Sequence, residues 1–214
     1  MKITKYPQSC FMVKTCGKNI LVDPGSISYD PSFAVDWAKA DFILITHKHG
    51  DHCHAEILKD FSAPIYSSAE VAAAYPELKI TKVKVGQELA LADGINVSVV
   101  NAVHGYLPHL RGDKEIHENI GFILNAEGKK IYFTSDSVCF KNDYKCDILC
   151  VGINEHGLSM TPAAAARFAK ECGAGLVLPC HLDNPVFPVD IPRMENTLKE
   201  NEINYRILKT KETI

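Results

Sequence analysis

The 214-residue chain has no long apolar run, no basic excess and no Cys-x-x-Cys pair, and each absence narrows what it can do. Without an apolar stretch near bilayer length, no membrane-crossing helix is expected. The start, Met1-Lys2-Ile3-Thr4-Lys5-Tyr6-Pro7, lacks the apolar core of a secretion signal. With 23 Lys+Arg against 26 Asp+Glu, the formal net charge is −3, which leaves no basic footprint for nucleic acid. The missing Cys-x-x-Cys excludes a zinc ribbon and a thioredoxin-like motif. The eight cysteines are dispersed, several within apolar strand-like runs. They read as reduced, buried thiols of a cytoplasmic protein rather than as a disulfide framework. No low-complexity linker interrupts the chain, so one domain with a full core is expected.

What is present is concentrated in Thr46-His47-Lys48-His49-Gly50-Asp51-His52, a His-x-His-x-Asp-His cluster with four metal-ligand side chains in six positions. It directly follows Asp41-Phe42-Ile43-Leu44-Ile45, whose length and β-branched content fit a buried strand. Ligands at the mouth of a strand are held more firmly than ligands in a free loop. Cys53, beside His52, is a candidate neighbour of the site and a candidate oxidation-sensitive thiol.

Strands are expected over 2–6, 9–15 and 19–23, the last two joined by a tight hairpin at Cys16-Gly17-Lys18. Asp23-Pro24-Gly25 then breaks the sheet. A helix near 32–39 leads to the motif strand; helices near 55–60 and 69–75 flank a strand at 64–67. Further strands are expected over 88–91, 95–103, 121–125, 130–134, 147–151 and 175–179. A helix over 162–172 has Thr161 as its N-cap and Pro162 in its first turn. Another near 191–201 precedes a last strand at 205–208. Strand-rich halves that each carry helices suit an α/β architecture of two sheets packed face to face, with helices outside.

One such cluster cannot seat two ions unaided, because each catalytic ion takes three or four protein ligands and keeps a position open. Three further ligand-type residues fall at strand ends: His104, Asp136 and His181. The match covers Thr46–His52, Ala102-Val103-His104-Gly105, Phe133-Thr134-Ser135-Asp136-Ser137 and Leu178-Pro179-Cys180-His181, in that order. On these segments the chain resembles the metallo-β-lactamase superfamily. It is most similar to the small single-domain branch of ascorbate-6-phosphate-lactonase-like metal-dependent hydrolases. Residues 9–25 also fit, so the resemblance spans nearly the whole chain.

The resemblance implies a single-domain αββα sandwich with two divalent ions at one edge, between the sheets. It assigns His47, His49 and His104 to one ion, and Asp51, His52 and His181 to the other, with Asp136 leaning on both. Asp23 matches an aspartate behind the ligands that would orient a ligating imidazole. One position departs: the branch commonly has Gly-His-Ser where this chain has Pro7-Gln8-Ser9, and Gln8 supplies no acid, base or cation.

Such a site needs no serine or cysteine nucleophile. A water bridging two cations loses its proton near neutral pH and attacks a carbonyl or phosphoryl centre, with Asp51 a ligand and a candidate catalytic proton carrier. Imidazole and carboxylate donors without cysteine suit Zn best, with Mn, Fe or Ni compatible. Arg111, in the polar stretch 105–118, and Asn154 and His156, before the Thr161-capped helix, are candidate substrate contacts. The leading reading is a cytoplasmic hydrolase of a small-molecule ester, lactone or phosphoester, an anionic substrate being compatible. A phosphodiesterase or nuclease on nucleotides or RNA is the first alternative, and a non-catalytic metal-binding protein the second. No membrane partner is expected, the charge balance speaks against nucleic acid, and a homo-oligomer stays open.

Overall fold

The computed structural model describes residues 1–105 and 118–214. The first half forms β1 (Lys2–Lys5), β2 (Phe11–Thr15), β3 (Lys18–Val22), α1 (Ser32–Trp37), β4 (Phe42–Leu44), α2 (Ala55–Leu58), β5 (Ile65–Ser67), α3 (Ala69–Ala74) and β6 (Ile80–Lys82). The second forms β7 (Glu88–Ala92), β8 (Ile95–Asn101), β9 (Ile120–Ala126), β10 (Lys129–Phe133), β11 (Ile148–Gly152), α4 (Pro162–Cys172), β12 (Leu176–Cys180) and α5 (Ile191–Glu200). Two six-stranded sheets result, ordered β1-β2-β3-β4-β5-β6 and β12-β11-β10-β9-β8-β7. In chain order, each begins with antiparallel strands and ends with parallel ones.

The two-residue side-chain period of a strand decides which residues meet where. Ile20 and Val22 of β3 face the second sheet, joining Phe11 and Leu44 against Val97, Phe122, Ile131 and Phe133 in one buried cluster. Leu21, between them, faces outward onto Trp37, Leu58 and Val71. In β10, Ile131 and Phe133 point inward while Tyr132 packs outward with Phe168 of α4 and Met194 and Leu198 of α5. The layers therefore run helix, sheet, sheet, helix, as expected from the sequence. Parallel strands covered on both faces are apolar throughout, which is why β4 and β11 read as unbroken hydrophobic runs.

The expected hairpin closes on Cys16 and Gly17 at φ 47° and 75°, the double positive φ that a two-residue turn between twisted strands requires. On α4, the Thr161 hydroxyl accepts from Ala164 N–H at 3.3 Å and Gly173 ends the helix in a left-handed cap. Two expectations are corrected. Strand β6 is an unexpected short edge strand, paired in parallel with β5. The expected strand at 205–208 is reduced to one bridge, Tyr205 to Val177. Val177 N–H donates to Asn204 and its carbonyl accepts from Arg206 N–H, both at 2.9 Å. The next donor on that edge of β12 would be residue 179, a proline with no N–H, so the ladder cannot continue.

Candidate metal centre

The strands that carry candidate ligands all deliver them to the same end of the sandwich. Asp23 follows β3, His47 follows β4, and His104, Asp136 and His181 follow β8, β10 and β12. The motif loop is braced from below by the Asp23-Pro24-Gly25-Ser26 segment. Ser26 donates to the Gly50 carbonyl through its N–H at 2.7 Å and its hydroxyl at 2.9 Å, and His54 N–H donates to the Pro24 carbonyl at 2.8 Å. Gly25 backs directly onto the loop: a Cβ there would sit 1.8 Å from the Asp51 carbonyl oxygen. The glycine is required by close approach of two backbones.

Seven side chains from the two sheets gather into two groups. His47, His49 and His104 form one, and Asp51, His52, Asp136 and His181 the other, with one donor atom per residue lying within 4.8 Å of the rest of its group. His47 Nε2 lies 3.0 Å from His49 Nδ1. His181 Nε2 lies 2.9 Å from Asp51 Oδ2 and 3.4 Å from Asp136 Oδ2, and His52 Nε2 is 3.5 Å from the same Asp136 oxygen. Within the two groups His49 and Asp51 are half-buried and the other five residues are buried.

A buried network behind the candidate ligands fixes their orientation. Asp23 accepts from Thr46 N–H and Thr46 Oγ1, both at 2.8 Å, and its Oδ2 lies 2.9 Å from His52 Nδ1. The Ser135 hydroxyl donates to Thr46 Oγ1 at 2.7 Å and lies 3.1 Å from His47 Nδ1. His104 Nδ1 is hydrogen-bonded to the Gly105 carbonyl. An imidazole pinned at Nδ1 turns Nε2 toward the centre. Sequence reasoning placed Asp23 behind the ligands but assigned nothing to Thr46 and Ser135. The available signal was adjacency, since each hydroxyl residue immediately precedes a candidate ligand.

The electrostatics suit a cation. Asp23 and Asp136 are 1% and 2% exposed, and burial of carboxylates is costly unless positive charge faces them. Burial resists protonation of His52, yet Asp23, Asp136 and Asp51 hold its pKa well above the ordinary histidine value. Burial, reinforced by His52, holds His47 well below it. Burial alone would raise Asp136, but His181 and His52 hold its carboxyl well below the carboxylate range. His52 Nε2 and Asp136 Oδ1 are buried and have no hydrogen-bond partner. Buried polar atoms in a native fold are nearly always satisfied, so unpartnered donor atoms on two residues of one clustered group suit a metal ion there.

The candidate substrate contacts separate. Arg111 lies outside the described residues. Asn154 is buried, its Oδ1 accepting from His156 N–H at 2.5 Å and its Nδ2 without a partner. His156 is exposed, with Nε2 3.2 Å from the Pro188 carbonyl and its ring beside Phe187. Gln8 is fully buried with neither side-chain amide atom hydrogen-bonded. Cys53 packs in the outer core, where burial pushes its thiol up to about 12, an inert rather than an oxidation-prone state.

Residues 2–181 match the family described as the beta-lactamase superfamily domain. A UPF0173 metal-dependent hydrolase of Thermodesulfovibrio yellowstonii is 28% identical over 98% of this chain and 89% of its own length. Another, of Geobacillus thermodenitrificans, is 31% identical over 85% of each. Among solved structures, the metallo hydrolase Igni18 of Ignicoccus hospitalis superposes with a TM-score of 0.82, covering 100% of this chain and 97% of its own at 21% identity, a likeness of fold. With the family match running from β1 to the candidate ligand after β12, the chain belongs to the metallo-β-lactamase superfamily.

Proposed function

We propose that this chain is a binuclear metal-dependent hydrolase acting on a small-molecule ester, lactone or phosphoester. The observation that carries the reading is the pair of donor groups, three imidazoles in one and two imidazoles with two carboxylates in the other, meeting at the end of the sandwich. The names of its curated relatives, metal-dependent hydrolases, support the same reading. His47, His49 and His104 would hold one cation and Asp51, His52 and His181 the other, with Asp136 between them. Imidazole and carboxylate donors suit Zn first, with Mn, Fe or Ni compatible. Two such cations supply Lewis-acid polarisation of the scissile group and ionisation of a water.

The chain's own residues do the rest. Asp51 is the more accessible of the two ligand carboxylates, its side chain 13% exposed against 4% for Asp136. It is therefore the group placed to take the nucleophile's proton and return it to the leaving group. Asp23 keeps His52 in one tautomer, while Thr46 and Ser135 keep His47 in register, so the donors need not reorganise during turnover. An anionic substrate suits the added positive charge, and the eight free cysteines suit a reducing cytoplasm.

The test is elemental analysis of protein purified without chelators, followed by a screen of lactones, carboxylic esters and bis-phosphodiesters with Zn or Mn restored. About two equivalents of metal and turnover of a lactone or ester are expected. Turnover confined to the bis-phosphodiesters would shift the reading to a phosphodiesterase, and fewer than two equivalents would overturn the binuclear centre.

A further inference from the structure

Among the described residues, one buried lysine lies outside the candidate ligand set. Lys5, the last residue of β1, is 6% exposed. Its Nζ donates to two backbone carbonyls, those of Tyr6 and Gln8, the second at 2.6 Å. Burial lowers its pKa from the ordinary lysine value, with Cys180 and Asp183 opposing. Lysine is almost never buried unless it is paired, and here backbone carbonyls supply the partners.

The role lies one residue beyond its partner. The Gln8 carbonyl that receives the Lys5 ammonium also accepts from the backbone N–H of His181, at 3.0 Å. The Gln8 N–H is gripped in turn by Asp183, at 3.0 Å to Oδ1 and 3.3 Å to Oδ2. Gln8 and His181 both sit in the left-handed region, at φ 55° and 62°, where non-glycine residues stay only if their surroundings hold them. The hydrogen bond from His181 to Gln8 joins these two disfavoured residues across the gap between the sheets. On the far side of that bond, the His181 imidazole stands 2.9 Å from Asp51.

We infer that Lys5 is a positioning residue for His181: through the Gln8 carbonyl it holds that histidine's backbone in the conformation that presents the imidazole to the candidate metal centre. The inference rests on the binuclear reading above. It explains why the last residue of β1 buries its amine, and it gives the Gln8 carbonyl a role that does not depend on the side chain at that position.

The experiment is zinc titration of metal-free protein against a chromophoric chelator, which reads the affinity of each site independently of activity. Lys5→Met keeps the apolar stem and removes the donors. Two sites are expected in the unaltered chain. In Lys5→Met, one site should weaken by about 10- to 100-fold, the usual effect of removing a group behind a ligand, while the other is unchanged. In a His181→Ala background, where the supported ligand is gone, Lys5→Met should produce no further loss. Equal weakening of both sites, no weakening of either, or a loss that persists without His181 would overturn the inference. Should Lys5→Met fail to fold, Asp183→Asn, which loosens the same Gln8 peptide from its N–H side, is judged by the same criteria. Two sites in the unaltered chain with no selective change overturn this inference alone; fewer than two overturn the proposed function and this inference with it.

Discussion

The two ends of the sandwich use the same unusual backbone conformation for opposite purposes. At the turn end, Cys16, Gly17, Glu127 and Gly128 have φ of 47°, 75°, 52° and 69° and are exposed. Hairpin geometry demands those angles, and water satisfies what the turns leave open. At the ligand end, Gln8, Asp23, Ser135 and His181 have φ of 55°, 47°, 58° and 62°, with no glycine among them, and all four are buried. Each costs about 1–2 kcal/mol and persists only because hydrogen bonds over-determine it. Buried carboxylates and orphaned donor atoms accumulate at that end as well. Strain thus collects beside the buried charge and unpartnered donor atoms that a cation would offset, while the strained residues of the other end are exposed turns.

Removing a candidate ligand should break this contrast most severely. Asp136→Asn removes a charge that faces both His52 and His181. Bound metal should fall from about two to about one per chain, with hydrolysis lost, as elemental analysis and a turnover assay would show. Retention of both ions would mean that Asp136 is not a ligand. Asp23→Asn should act next most strongly, because it disturbs the acceptor behind His52 without touching the centre. A loss of about 10- to 100-fold in metal affinity is expected by chelator competition, confined to one site.

The candidate ligands were legible in the sequence because the segments that carry them follow apolar runs of strand length, and strands aim their ends. The layered fold was legible for the same reason, from period-two burial and a capped helix. The Thr46 and Ser135 hydroxyls were not, since a hydroxyl's partner is set by packing between sheets rather than by its neighbours in the chain. Nor was the Gln8 carbonyl, because a backbone acceptor leaves no mark in residue identity. The 205–208 segment was misread because its hydrophobic content spoke for a strand, while the obstacle, Pro179, sits in the partner strand.

One substitution placed at both ends sharpens the comparison. Gly25→Ala puts a Cβ 1.8 Å from the Asp51 carbonyl oxygen, whereas Gly128→Ala meets nothing within 4 Å. The first should cost about 1–3 kcal/mol by overpacking and also weaken metal binding by shifting the motif loop. The second, limited to left-handed backbone strain, should cost about 1 kcal/mol and leave metal affinity alone. Denaturant unfolding with and without zinc separates the two. Equal zinc stabilisation of both variants would detach Gly25 from the centre.

The smallest effect is expected at Glu127, which closes the turn end. Its Oε1 accepts from Thr15 Oγ1 at 2.8 Å and Cys16 N–H at 2.9 Å, and its Oε2 meets the Met1 ammonium at 2.7 Å. The hydrogen bond from that ammonium, with those from Cys16 and Thr15, lowers its pKa to about 2. A carboxylate held low in the folded state contributes stability that is present above its unfolded pKa and disappears as pH falls through the folded value. Glu127→Gln should therefore lower the melting temperature slightly at neutral pH, by the small amount typical of an exposed ion pair, with the difference closing as the pH falls from about 4.5 toward 2. Metal content and turnover should be unchanged at neutral pH, because the clasp lies a full strand length from the ligands. A change in either would show that the two ends are coupled through the sheets, and would deny the division of labour drawn between them.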